Sequence, residues 1–295
     1  GRIEPTPVRF ASESSLNAAL LVLAQYVGLP FDREHPVLEA RLPDGSRVEV
    51  VHGSLSPHGT HVAIRRFSQD RLSLAQLITW GTLSTAAAEA LRTMVVDKRN
   101  ILVAGGTGSG KTSLLNILTG LVPDGERVIV LEDARELQPR GSHTVQLEAR
   151  PADERGRGAV SIRELLRATL RLRPDRIVLG EIRDCAALDL LQAMTSGHGG
   201  CLATLHASHP RDALTRLETM ALMADVELPL LALRSQITAA VDVVVQVERM
   251  RSGARLVTQI AEVEPLDSDG RYVLRECFVR VAGELVSVPF EQAPR

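Results

Sequence analysis

The sequence predicts an α/β protein in two parts: a small α/β N-terminal domain over residues 1–75 and a larger domain with a mostly parallel sheet over 85–295, joined by a linker at 76–84. Three observations carry this. From residue 85 onward, short apolar runs rich in Val, Ile and Leu alternate with helix-period segments, the pattern of strands buried on both faces. A glycine-rich turn at 105–110 stands between one such run and a helix-period segment. The first 75 residues read differently, as one helix followed by three strands.

In the first part, Ser14 or Ser15 is expected to cap a helix carrying Leu16, Leu20, Leu23 and Val27. Strands are expected at 37–42, 48–51 and 61–67, the first two joined by the turn Pro43-Asp44-Gly45-Ser46. Residues 52–60 read as a Gly-, Pro- and Ser-rich loop, and a short helix is expected near 74–80. The second part is expected to run helix 85–97, strand 100–104, helix 111–121, and strands 127–131 and 144–147. The stretch 150–158 reads as an exposed loop. Ser161 and Glu164 form a capping box for a helix through 172. Strand 176–179, helix 184–196 and strand 201–205 follow, then strands at 241–247, 256–263 and 272–279.

Composition weighs against several classes. A net charge of −2 and 3% aromatic residues offer neither a basic footprint nor stacking platforms for nucleic acid. Cys185, Cys201 and Cys277 are isolated, with no CxxC pair, so neither a zinc site nor a disulfide framework is expected, and a reducing compartment is favoured. The apolar run 16–29 is too short and too polar to be expected to span a bilayer, and the first residues do not show the basic, apolar, small-residue pattern expected of a secretory signal. Membrane association is therefore expected to come through partners.

The chemistry centres on Gly105-Gly106-Thr107-Gly108-Ser109-Gly110-Lys111-Thr112, which fits GxxxxGK[ST]. Glycines let successive backbone N–H groups point inward at phosphate oxygens, and the following helix adds the positive end of its dipole. Lys111 is expected to reach the terminal phosphates and Thr112 to ligate Mg²⁺. Glu181 ends the apolar run 177–180 and is placed to act on Mg²⁺ through water or to position the nucleophile. Glu132 ends the run 128–131 and is the candidate to orient or deprotonate water. Either carboxylate could instead be a solvated strand end. His198 and His206 flank the strand 201–205, too far apart for a close-spaced metal pair, and on spacing alone each is more readily structural than phosphate-reading. Arg65 and Arg66 end a strand of the first part, and alternation lets only one of them serve an anion.

Four segments then occur in a telling order: GGTGSGKT, LEDARELQ, RPDRIVLGEIRD and SGHGGCLATLHA. Together they resemble the secretion-superfamily ATPases that power type II and type IV secretion and pilus assembly. RLPDGSRVEVV, AIRRFS and HPRDALTRLETM resemble the CpaF/TadA-type branch, which drives tight-adherence (Tad) pili. The resemblance spans roughly residues 41–247. It implies that the larger domain is a RecA-like P-loop NTPase domain, with ATP and Mg²⁺ as cofactors. By position it makes Glu132 the Asp-box acid, Glu181 the Walker B acid, His198 and His206 the His-box pair, and Arg65 the N-domain arginine that reaches nucleotide. Gly199, Cys201 and Ala203 stand where the family often has an acidic residue, Ser and Thr, so this box is less polar. The resemblance further implies a homohexamer with ATP between its domains. Its partner would be an inner-membrane platform protein, which places the ring in the cytoplasm, peripheral to the membrane. A RecA-like motor acting on nucleic acid is the competing function. A GTP switch lacks an NKxD motif to read guanine.

Overall fold

The computed structural model describes residues 4–66, 72–139, 141–152, 156–224 and 226–289. They form two units, Gly1–Arg71 and Leu72–Arg295.

The smaller unit holds α1 (Glu13–Val27), β1 (Val37–Arg41), β2 (Arg47–Val51), a 3-10 turn at Gly53–Leu55, and β3 (His61–Arg65). Ser12 starts α1, earlier than either expected cap. Its hydroxyl accepts from the Ser15 amide at 3.1 Å, and the Ser15 hydroxyl accepts from the Ser12 amide at 3.0 Å. The three strands pair antiparallel in the order β1-β2-β3. Leu20 and Ala24 of α1 pack on Leu38, Ala40, Val48 and Val50, the inward positions of β1 and β2. The last residue of the expected 61–67 strand lies outside the described residues.

In the larger unit, α2 (Leu74–Thr79) and α3 (Thr85–Val96) lead into β4 (Ile101–Gly105) and α4 (Lys111–Thr119). Then come β5 (Val128–Glu132), β6 (Thr144–Glu148), α5 (Ile162–Thr169), β7 (Arg176–Leu179), α6 (Ala186–Thr195) and β8 (Leu202–Leu205). The chain continues through α7 (Pro210–Leu222), α8 (Leu230–Ala240), β9 (Val243–Arg249), β10 (Arg255–Glu264), β11 (Val273–Val281) and β12 (Glu284–Ser287). Two helices and one strand, α7, α8 and β12, have no counterpart among the expected elements. The signal for α7 was present: Pro210 at its first turn and Ala213, Leu214, Leu217, Met220 and Ala221 buried at helical spacing. Residues 76–84, expected as a linker, contain Leu77 and Leu83, both buried in the larger unit's core.

One nine-stranded sheet organises this unit, in the order β12-β11-β10-β9-β4-β8-β7-β5-β6. The run from β9 to β6 is parallel throughout, while β10, β11 and β12 extend it as antiparallel neighbours. Helices α5 to α8 cover one face, over Leu102, Ile129, Ile177, Ala203 and Val244. Helices α2 to α4 cover the other, over Val103, Val130, Val178, Leu202 and Val245. Alternate residues of each central strand thus enter opposite cores, which is why these strands are apolar without interruption.

The order places the ends of β4, β8, β7 and β5 side by side at about 4.8 Å per strand. The chain passes from β4 to β5, fills the gap with β7 and β8, and only then crosses to β9 on the other flank of β4. The carboxyl edge at this reversal is where open α/β sheets take ligands.

At the amino edge, Asn100 stitches three strands together. Its Nδ2 donates to the Ala240 carbonyl at 2.7 Å, its Oδ1 accepts from the Cys201 amide at 2.9 Å, and its own amide donates to Asp242 at 2.7 Å. Asn100→Ala would orphan a buried N–H and a buried C=O, and is expected to lower unfolding free energy by about 3 kcal/mol in urea titrations.

Candidate nucleotide site

The loop 105–110 leaves β4 at the carboxyl edge and enters α4 at Lys111. Its glycines answer to geometry. A Cβ at Gly105 would collide with the Val247 carbonyl of neighbouring β9. Gly110 holds φ at 100°, a left-handed conformation that side chains resist, and this turns the chain so that α4 begins at the next residue. The amino end of α4 therefore faces the loop's concave side, a backbone arrangement suited to anionic oxygens. Arg255 of β10 braces the loop from outside, with Nε donating to the Gly108 carbonyl at 3.0 Å.

Three of the expected residues come together at this edge because their strands are neighbours. Lys111 Nζ donates to the Gly106 carbonyl at 2.9 Å and lies 3.4 Å from His206 Nδ1. His206 Nε2 lies 3.0 Å from Glu181 Oε1. The other Glu181 oxygen accepts from Arg183 Nη2 at 2.6 Å, and Arg183 Nε is 3.5 Å from Asp133. A neutral imidazole protonated on Nε2 satisfies both contacts, accepting from the ammonium and donating to the carboxylate. The electrostatics agree. Burial and the Lys111 charge hold the imidazole below its ordinary value, against the opposing pull of Glu181. Burial likewise lowers the Lys111 ammonium, and Glu181 opposes that too. The result is a short relay, Lys111–His206–Glu181–Arg183, linking the phosphate loop to the ends of β8 and β7.

Glu132 ends β5, the next strand along the edge. It is nearly buried, and its Oε1 accepts from the amides of Glu136 and Leu137, each at 2.8 Å. The side chain therefore shapes the 133–137 turn, a structural duty not foreseen beside its expected role on water. Burial raises its carboxyl above the ordinary range and outweighs the two amide donors.

His198 does not join this group. It precedes β8, at the amino edge beside Cys201, whose Sγ donates to the His198 carbonyl at 3.0 Å and whose amide meets Asn100. The parallel register of β8 with β4 sends His206 to the loop and His198 away from it, with about 13 Å of extended strand between. Of the two histidines expected at the nucleotide, the fold brings His206 to the loop and leaves His198 at the other edge of the sheet. Arg65 ends β3 in the smaller unit, in register with Arg47 and so on the sheet face opposite Val48 and Val50. Among expected loop residues, Thr107 is exposed, and Ser109 is buried with no hydrogen-bond partner for its hydroxyl. Thr112 is the second residue of α4. Arg183, Arg255 and Gln246 were not singled out from sequence. Arg183 sits two residues from Glu181 and could have been, whereas Arg255 reaches the loop only through sheet pairing.

Fold and site together define a P-loop ATPase with a RecA-like arrangement, built on a mostly parallel sheet. The family described as Type II/IV secretion system protein matches residues 2–267. The chain belongs to this family and is an ATPase of the class that serves secretion and pilus systems. It is 38% identical over 267 residues to the type IV secretion system protein PtlH of Bordetella pertussis, covering 81% of this chain and 78% of that one. To the conjugal transfer protein TrbB of Rhizobium radiobacter it is 36% identical over 240 residues, covering 79% and 69%. Its fold matches the crystal structure of the VirB11 ATPase from the Brucella suis type IV secretion system in complex with sulphate, at 30% identity and a TM-score of 0.53, over 84% of this chain and 82% of that one.

Because the folded chain holds the Glu132 proton to higher pH than the unfolded chain does, the associated stability is present at low pH and is lost as pH rises through the folded value. Gln at this position keeps an oxygen for the two amides and never ionises. Glu132→Gln is therefore expected to melt above the wild type at about pH 8 and to lose that advantage by about pH 4, measured by thermal unfolding at low ionic strength.

Proposed function

We propose that this chain is the hexameric motor of a Tad or type IV-like pilus, or of a related secretion apparatus, coupling ATP hydrolysis to movement of an inner-membrane platform protein. The observation that carries this is the relay from Lys111 through His206 to Glu181. A phosphate-binding lysine is tied to a strand-end acid by a residue that can report the presence of phosphate. When ATP enters, the Lys111 ammonium leaves its own loop carbonyl for the β- and γ-phosphates. His206 then loses its donor on one side while keeping Glu181 on the other. The state of the nucleotide is thereby passed to the ends of β8 and β7.

Mg²⁺ suits the donors present. The Thr112 hydroxyl and the Glu181 carboxylate are hard oxygen ligands at the loop, and no cluster of three or more His, Cys, Asp or Glu that could hold a metal occurs among the described residues. An ion held chiefly by substrate phosphates and water needs no such cluster. When bound, it would neutralise charge on the transferring phosphoryl group. We assign Glu181 to the water or the ion, Glu132 to the order of the acidic turn and to water, and Arg65 to charge developing on the phosphoryl group. The branch assignment rests on RLPDGSRVEVV, AIRRFS and HPRDALTRLETM. Among the described residues no helix is long and apolar enough to cross a membrane. The cytoplasmic placement at the membrane through a partner rests on the family resemblance.

Glu181→Gln is expected to keep ATP affinity within about threefold while hydrolysis falls about a hundredfold or more, whereas Lys111→Ala loses tight binding itself. Normal turnover in Glu181→Gln would remove that residue from the chemistry, and an unchanged affinity in Lys111→Ala would end the phosphate-loop assignment. Arg65→Ala is expected to lower kcat more than it raises KM; equal losses in both would make it a binding residue only. Light scattering with and without a non-hydrolysable ATP analogue tests the hexamer, and a persistent monomer under both conditions would refute it.

A further inference from the structure

The His206 ring can bridge Lys111 and Glu181 only if the backbone that carries it stays in place. Residues 206–209 have no helix or strand of their own; they run from the end of β8 to the first turn of α7. Two successive carbonyls in this stretch, Ala207 and Ser208, accept from one nitrogen. That nitrogen is Gln246 Nε2, at 3.2 and 2.9 Å.

Gln246 comes from β9, two strands away from β8 with β4 between them. It stands in register with Ala104, which is itself in register with Leu205. The carboxamide therefore crosses β4 at a residue that offers only a methyl group, one position before the phosphate loop begins. It is 1% exposed in a strand whose other central positions, Val243, Val244, Val245 and Val247, are all apolar. Its Oε1 is buried without a hydrogen-bond partner. An orphaned buried acceptor of this kind costs stability, and an aliphatic side chain here would avoid it. For the fold alone, this glutamine is the poorer choice.

The same strand serves the phosphate loop. The Val247 carbonyl lies against Gly105, and Arg255, paired with Arg249 of β9, holds the Gly108 carbonyl. One element, β9 with its partner β10, thus touches both the loop that carries Lys111 and the segment that carries His206.

We infer that Gln246 is a positioning residue for the reaction: its amide holds the 207–208 backbone so that His206 stays in register with Lys111 and Glu181. It touches no reacting atom and acts through His206 alone. The inference rests on the role proposed for His206, and the test separates the two. ATP turnover, KM and ADP affinity are compared for the wild type, Gln246→Met, His206→Ala and the double variant. Gln246→Leu runs beside them as a second way of filling the same space, and circular dichroism reports folding. His206→Ala is expected to slow turnover. Gln246→Met is expected to lower kcat about tenfold, since small misplacements are costly in catalysis. KM and ADP affinity should stay within about twofold, and the second substitution should add no further loss in the His206→Ala background. A loss that adds in full to that of His206→Ala, or one that falls equally on ADP affinity, would make Gln246 merely structural and overturn the inference. Normal kcat in the folded Gln246 variants beside a slow His206→Ala would also overturn it, leaving the His206 role intact. Wild-type turnover in His206→Ala would remove His206 from the function, and the inference with it.

Discussion

β4 is paired in parallel on both sides, to β8 and to β9, and this constraint sets nearly everything at the carboxyl edge. A central parallel strand has no free backbone groups along its length, so its end is fixed to within the play of two hydrogen-bonded ladders. The loop that leaves it must turn at once. It does so with glycine where β9 approaches too closely for a side chain and where φ is positive. Lys111 then falls beside whatever ends β8, and His206 ends β8. The ion-pair chemistry of the site follows from strand adjacency.

Energetically the site is a compromise. Lys111 is buried, while His206 and Glu181 are only partly shielded from water, so their contacts are stronger than those of surface pairs without the full cost of burying isolated charge. Burial lowers both the ammonium and the imidazole, while the carboxylate between His206 and Arg183 pulls the other way. The relay can be shifted by an incoming phosphate, which offers Lys111 a better partner than a loop carbonyl. Other polar groups in this unit are tied down more firmly. Glu218 accepts from both Arg234 and the Tyr272 hydroxyl, each at 2.8 Å, joining α7, α8 and the segment before β11. Arg176 is fully buried against Glu126 and the Val95 carbonyl. Such closed networks hold the helices to the sheet, and the rearranging chemistry is left to the edge.

The sheet also explains why two histidines of one short segment part company. A strand of four residues separates them, and a parallel strand has two chemically different ends. His206 meets the phosphate loop, while His198 meets the backbone around Asn100 and Cys201. The His198 carbonyl accepts the Cys201 thiol, and its buried Nδ1 has no partner. Within this chain its backbone belongs to the turn that feeds β8.

The sequence by itself determined the local and periodic features. GxxxxGK[ST], the uninterrupted apolar strands, the Ser161–Glu164 capping box and the hairpin at Asp44 are each written within a few residues, because loop glycines, burial on two faces and cap hydrogen bonds act at short range. The acids at the ends of β5 and β7 were legible for the same reason: a strand's direction and its last residue can be read together. Which of those ends lie side by side was decided only by the tertiary structure, since sheet order depends on hydrogen bonds between segments far apart in the chain. That order put His206 between Lys111 and Glu181, sent His198 to the opposite edge, brought Arg255 to Gly108, and laid Gln246 against the 207–208 backbone. A lone glutamine in a valine strand carries no local sign of the backbone it will hold two strands away.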